Sequence, residues 1–181
     1  MITVDYKTFY KEFTKARKCV GNVTRPILTF IKLYSKENYL YFECTNSYIV
    51  WQSKIKLISK IKDIDILLDS NDFRYFPKPA KGIIPTELVI TADGKNNVYS
   101  TGVITLRLRQ FDGKYPNTSK FWKTENVNYK IMFSKKEIER ATQGMDSFIL
   151  CLTPNNVDPA YIQGVSDYTE VNHIILPKRI D

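Results

Sequence analysis

Near the start of the chain, apolar side chains recur every three or four residues: Tyr6, Phe9, Tyr10, Phe13, Ala16 and Val20. That spacing gathers them on one stripe of a helix. Lys7, Lys11, Lys15 and Lys18 follow at i, i+4, i+8 and i+11 and fall on another face. Asp5 stands where a carboxylate can accept from the exposed first-turn N–H groups, and Gly21-Asn22 suit a C-terminal stop. A helix is therefore expected from Asp5 through Val20, preceded by a short strand, Ile2-Thr3-Val4. Three strands are expected next: Ile27 to Tyr34, Tyr39 to Thr45 and Ile49 to Leu57, with Ser35-Lys36-Glu37-Asn38 as a hairpin turn.

The same order of elements is read twice more. Ile64 to Leu68 is a strand, Ser70 can cap a short helix over Asn71 to Phe76, and Pro77 and Pro79 stop it because neither has a backbone donor. Glu87 to Ala92, Asn97 to Ser100 and Val103 to Gln110 complete that unit, with a turn at Asp93-Gly94. A polar, turn-rich stretch, 112–126, reads as a linker. Beyond it come a strand at Tyr129 to Phe133 and a helix opened by the capping box Ser134/Glu137, with Ile138, Ala141, Thr142 and Met145 on one side. Strands at Ser147 to Leu152, Ala160 to Gly164 and Asn172 to Pro177 complete the third unit. The expectation is thus an α+β chain of repeated β-α-β-β-β units: two in residues 1–111, a linker at 112–126, and a third, half-domain unit at 127–181.

The chain has 181 residues, 43% of them hydrophobic, with 12 Tyr and 10 Phe. That supports one or two domains with real cores and argues against disorder. A net charge of +8 favours a polyanionic partner. Cys19, Cys44 and Cys151 show no metal-ligand spacing and read as buried, reduced thiols of a cytoplasmic protein. No secretory signal and no membrane-spanning run is read. The only histidine, His173, lacks a catalytic or metal-binding companion. Asp63, Asp65, Asp69 and Asp72 cluster in sequence, but Asp69 and Asp72 sit at a helix start, where carboxylates favour the dipole. No catalytic residue, metal site or cofactor is expected.

Residues 157–180 end in Ile174-Ile175-Leu176-Pro177-Lys178-Arg179-Ile180. They resemble the closing strands of bacterial-type DNA sliding clamps, the β subunits of DNA polymerase III, which commonly end in an apolar strand followed by Pro and a basic residue. Residues 9–57, with Arg25-Pro26-Ile27-Leu28 and Thr45-Asn46-Ser47-Tyr48, are similar in order to the opening domain of that family. Residues 106–122, with Tyr115-Pro116-Asn117, resemble the stretch joining its first two domains. The resemblance implies a clamp-like fold with sheets outside and helices lining a hole. A complete clamp subunit carries about twice as many units as this chain has room for, so a ring closed by edge pairing would need about four copies.

In functional terms the resemblance implies a non-catalytic processivity factor that encircles duplex DNA and tethers a DNA polymerase, raising its effective concentration at the template. The expected DNA-facing residues are Lys7, Lys11, Lys15, Arg17 and Lys18, with Arg74 and Lys78 near the second helix and Lys135, Lys136 and Arg140 on the third. They would meet phosphates without reading bases. The resemblance places a groove for partner peptides beside Ile174, Leu176, Pro177, Lys178 and Arg179, with Thr45 to Val50 as the nearest local analogue of its other wall. Two other readings stand beside this one. One is a non-encircling clamp relative that binds clamp partners or a clamp subunit. The other is a nucleic-acid enzyme, which would need acidic metal ligands or an activated nucleophile. Size and a Lys/Asn-rich composition suggest a phage or mobile element as source.

Overall fold

The computed structural model describes residues 1–79, 86–118, 133–142, 147–152, 160–165 and 170–175. The chain divides into two compact units, Met1–Trp122 and Lys123–Asp181, and the division falls inside the stretch read as a linker.

In the first unit the elements are β1 (Ile2–Asp5), α1 (Tyr6–Ala16), β2 (Phe30–Lys36), β3 (Tyr39–Thr45), β4 (Val50–Lys60), β5 (Asp65–Asp69), β6 (Glu87–Ala92), β7 (Asn96–Ser100) and β8 (Thr105–Arg109). All its strands join one antiparallel sheet, ordered β5-β2-β3-β4-β1-β6-β7-β8. The order interlocks the two repeats. The first repeat's opening strand, β1, lies against β6 of the second, with Ile2 opposite Ile90 and Val4 opposite Leu88. The second repeat's opening strand, β5, lies against β2 of the first, with Ile31 opposite Leu68 and Leu33 opposite Ile66. Separating the repeats would break both ladders, so neither is an independent sheet.

The core lies between α1 and the sheet. Tyr6, Phe9, Phe13 and Ala16 of α1 are fully buried, as are Ile31, Leu33, Leu40 and Phe42 of β2 and β3. Phe9 is central, with ring centroids 5.3 Å from Phe42, 5.8 Å from Phe13, 5.8 Å from Phe76 and 6.5 Å from Tyr99. Burying each such side chain stabilises the fold by about 1.5–3 kcal/mol before chain entropy is counted. Asp5 caps α1 as expected, accepting from Thr8 N–H at 2.7 Å.

α1 is shorter than the sequence suggests. It ends at Ala16, where Lys18 N–H and Cys19 N–H turn to the nearer carbonyls of Lys15 and Ala16. The chain then swings back until Gly21 N–H donates to Leu28 C=O at 2.8 Å. A Cβ on Gly21 would meet Leu28 Cβ at 2.7 Å, so this close approach requires glycine. Lys18 therefore lies beyond the helix. Val20 still packs on the core, although it is not helical. Residues Pro26–Thr29 form a 3₁₀ turn instead of opening a strand, because Pro26 fixes φ and lacks a donor for the ladder. The second repeat has a 3₁₀ helix, Ser70–Tyr75, capped by Asp69 rather than Ser70; Asp69 accepts from Asn71 N–H at 2.8 Å.

The second unit contains α2 (Lys135–Ala141), β9 (Phe148–Cys151), β10 (Ala160–Val165) and β11 (Glu170–Ile175), the strands forming an antiparallel sheet ordered β11-β10-β9. Ser134 C=O accepts from Glu137 and Ile138 N–H at 3.1 Å each, opening α2 where the capping box was read. Ala160 and Ile162 of the central strand are buried. The strand read at 129–133, apart from Phe133, and Met145 lie outside the described residues. The thiols depart from the expectation of uniform burial: Cys44 is buried, Cys19 is half-buried and Cys151 is exposed. Cys151 sits on an outer strand, where alternation alone does not provide a covering layer. Among the described residues no helix is long and apolar enough to cross a membrane.

Candidate nucleic-acid interface

With Tyr6, Phe9 and Phe13 turned into the core, helical geometry leaves Lys7, Lys11 and Lys15 exposed along the opposite ridge of α1. Lys15 is shared with Glu12 at 2.6 Å. Arg17 and Lys18, just past the helix, are exposed as well. The Arg17 guanidinium lies 4.5 Å above the ring of Phe73, which belongs to the 3₁₀ helix. That 3₁₀ helix packs along α1 through Tyr10 against Phe73 (4.6 Å) and Phe13 against Phe73 (5.1 Å). Tyr6 OH donates to Pro77 C=O at 2.7 Å, drawing in the adjoining chain.

This packing brings Arg74 and Lys78, both exposed, onto segments flanking α1. Arg74 covers Tyr75 at 4.8 Å and donates to its hydroxyl at 2.9 Å. Of the basic residues read for the first unit, Arg17 is the one seen to meet the 3₁₀ helix, over the ring of Phe73. The acids nearby are otherwise engaged: Asp5 and Asp69 cap helices, and Glu12 holds Lys15. The Asp72 carboxyl is pushed above the ordinary carboxylate range by burial and by Asp69. Flexible ammonium heads on such a ridge can follow phosphates without fixing a sequence.

In the second unit Lys135 and Lys136 are exposed on α2, and Lys135 pairs with Glu139 at 3.4 Å. Arg140 is in α2, with its side chain outside the described positions. Ile174 lies in β11 opposite Tyr161. Leu176, Pro177, Lys178 and Arg179 lie outside the described residues.

A second feature surrounds the β3–β4 loop. An apolar hollow of about 870 Å³ is walled by Pro26, Ile27 and Leu28 on one side, Tyr48, Ile49 and Val50 on another, and Pro116. The loop is held firmly. Thr45 Oγ1 donates to Ile49 C=O at 2.7 Å, and Asn46 Oδ1 accepts from Tyr48 and Ile49 N–H at 3.0 Å each. Arg25 Nη1 donates to Ser47 Oγ at 3.2 Å, fixing a residue in the left-handed region (φ 80°). Tyr48 stands 94% exposed at the rim. The sequence flagged Arg25–Leu28, Thr45–Val50 and Pro116 separately. Nothing local said that they meet, because the contact spans the whole first unit.

The four clustered aspartates do separate work. Asp63 accepts from Ser35 Oγ (2.8 Å) and Lys60 (3.1 Å), which hold its carboxyl below the usual range. Asp65 pairs with Lys32 at 3.2 Å, Asp69 is a cap, and Asp72 is half-buried. Among the described residues no three His, Cys, Asp or Glu side chains are placed to hold a metal ion.

Interlocked β-α-β-β-β repeats with the helices against one side of the sheet define the DNA sliding-clamp fold, and this chain has it. It superposes on the Bacillus subtilis DNA polymerase sliding clamp with a TM-score of 0.77 at 18% identity, covering 99% of this chain and 50% of that one. The DNA polymerase III β subunit of Thermotoga maritima gives 0.78 at 15% identity, over 98% of this chain and 50% of that one. A Pseudomonas aeruginosa sliding clamp gives 0.78 at 12%, over 97% and 50%. The chain therefore spans about half the length of the solved clamps it matches. No protein-family model and no curated protein matches the sequence.

Proposed function

We propose that this protein is a clamp-like, non-catalytic processivity factor acting in the cytoplasm, which holds duplex DNA without sequence specificity through the basic ridge of α1 and its flanks and tethers a polymerase. The observation that carries the reading is the superposition of nearly the whole chain on sliding clamps. The exposure of Lys7, Lys11, Lys15, Arg17, Lys18, Arg74 and Lys78 on α1 and the segments that pack beside it supports it. Lys135, Lys136 and Arg140 of α2 extend the proposal to the second unit. Association of copies, about four if a ring closes, is supported by β9, which has only β10 beside it among the described residues and whose Phe148, Ile149 and Leu150 are all exposed. The test is titration of labelled duplex DNA over a range of salt. Affinity should fall with salt, and Lys7→Glu/Lys11→Glu should weaken binding at least tenfold and flatten the salt slope by about 2, near one per phosphate contact. Unchanged binding by that variant would remove the ridge from the mechanism.

The hollow beside Tyr48 favours a second reading, a non-encircling interaction protein that takes a short apolar peptide from a clamp partner or clamp subunit. Under either reading Ile174, Leu176, Pro177, Lys178 and Arg179 stay the residues proposed, from the resemblance, to contact a partner peptide. Binding of such a peptide with no measurable affinity for duplex DNA would select it over the first.

A further inference from the structure

We propose that the face of β2–β3–β4 turned away from the core binds single-stranded nucleic acid. Strand alternation sends Ile31, Leu33, Leu40, Phe42, Ile55 and Leu57 inward, where all are buried. The alternate positions form the outward face. Cross-strand register aligns them in two rows, Tyr34–Tyr41–Lys54 and Lys36–Tyr39–Lys56. Tyr34 and Tyr41 stack with centroids 5.0 Å apart and planes 6° from parallel. Lys54 Nζ stands 4.3 Å from the Tyr39 ring centroid and 6.0 Å from that of Tyr41. Cations and ring faces therefore alternate across this patch.

The charge is available to a ligand. Lys36, Lys54 and Lys56 are exposed, and none forms an ion pair among the described residues. The acids close by are Glu43, which is buried and accepts from Gln52 Nε2 at 3.1 Å and from Thr118 Oγ1, Asp65, which is held by Lys32, and Glu37 in the hairpin turn. The far end of the face is already covered: Phe111 stacks on Phe30 at 4.3 Å, and Tyr115 OH donates to Glu43 C=O at 3.3 Å. At the other end Tyr34, Tyr39 and Tyr41 are half-buried, with Lys32 Nζ 5.4 Å from the Tyr34 ring centroid, and Lys36, Lys54 and Lys56 are exposed around them.

Unpaired bases present flat faces to tyrosine rings while their phosphates meet the lysines, the combination that sequence-tolerant single-strand binders use. Duplex DNA keeps its base faces inside the stack and would engage the lysines alone. An acidic protein segment would likewise leave the rings unused. The surface is also separate from the basic ridge, since α1 packs on the other side of this sheet.

The test is fluorescence anisotropy of the full chain with a labelled single-stranded oligonucleotide of about 16 nucleotides. Tyr41→Ala should weaken binding about fivefold or more, Tyr41→Phe should bind like the parent, and Lys54→Glu/Lys56→Glu should abolish binding. Lys7→Glu/Lys11→Glu, which tests the duplex proposal, should lower single-strand affinity less than the outer-face variants do, because the ridge offers phosphate contacts but no ring for a base. Parent-like binding by the outer-face variants overturns the inference. So does a loss that tracks only the α1 variant, or displacement of the oligonucleotide by polyglutamate of equal charge, which would indicate an acidic-protein or unspecific site. Thermal denaturation checks each variant. If Tyr41→Ala does not fold, the double lysine variant, made at exposed positions, decides the question.

Discussion

β2 and β9 hold the same place in their repeats: each is the strand after the helix, and each pairs antiparallel with the next strand along. Their environments differ. β2 lies between β3 and β5, and its inward residues Ile31 and Leu33 are fully buried. β9 has only β10 beside it among the described residues, and Phe148, Ile149 and Leu150 are 42%, 51% and 39% exposed. Both strands carry apolar residues, so composition is not the cause. Among the described residues, what separates them is the extra neighbour. A β-α-β-β-β repeat does not complete its own sheet; it does so by receiving the opening strand of another repeat, as β2 receives β5. An apolar edge without that neighbour is a template for another chain.

The strongest way to break this comparison is to truncate a side chain on each strand. Leu33→Ala should destabilise the first unit by about 2–5 kcal/mol, while Leu150→Ala should cost less than about 1 kcal/mol. Urea titration reads both, and equal losses would show that β9 is as well covered as β2. Alkaline pH should come next, and it should act on the first unit. Burial, aided by Cys19 and Glu43, pushes the Cys44 thiol from 9.0 up to about 12. Burial likewise pushes the Tyr6 hydroxyl, which also faces Tyr10, to about 12. In the unfolded chain these groups lose protons first, so stability should be full below about pH 9 and fall as pH rises toward about 12. Urea midpoints measured across that window check the sign. A smaller effect is expected from Asp5→Ala, which removes the α1 cap and should cost about 0.5–2 kcal/mol by the same urea assay. Thiol labelling sharpens the contrast with no change in stability: Cys151 should react in the native protein, and Cys44 only on unfolding. Native labelling of Cys44 would mean that the first core opens more readily than its burial implies.

Much of the fold was legible locally. β3 and β6 have the bounds that alternation assigned them, Tyr39–Thr45 and Glu87–Ala92, because both faces of those strands are patterned and turn residues bracket them. Asp5 as a cap was legible for the same reason, since the carboxylate and its donor are three residues apart. The end of α1 was not. Val20 kept the helical spacing but packs on the core from a turn whose shape depends on Gly21 meeting Leu28. For the candidate interface, the Lys7–Lys11–Lys15 ridge came from periodicity, whereas the packing of the segment that carries Arg74 beside α1 rests on the stacking of Phe73 against Tyr10 and Phe13. The hollow at Tyr48 left no local signal, because its walls come from three distant segments.

The order of residues was enough to say which side chains face inward, where most strands run and that the chain is basic, since periodicity and charge are properties of neighbouring residues. It was the assembled sheet that put β1 between β4 and β6 and carried β5 across to β2. Any antiparallel strand of suitable pattern could fill either place. Backbone N–H and C=O groups carry no residue identity, so the choice is made by the packing of the whole core.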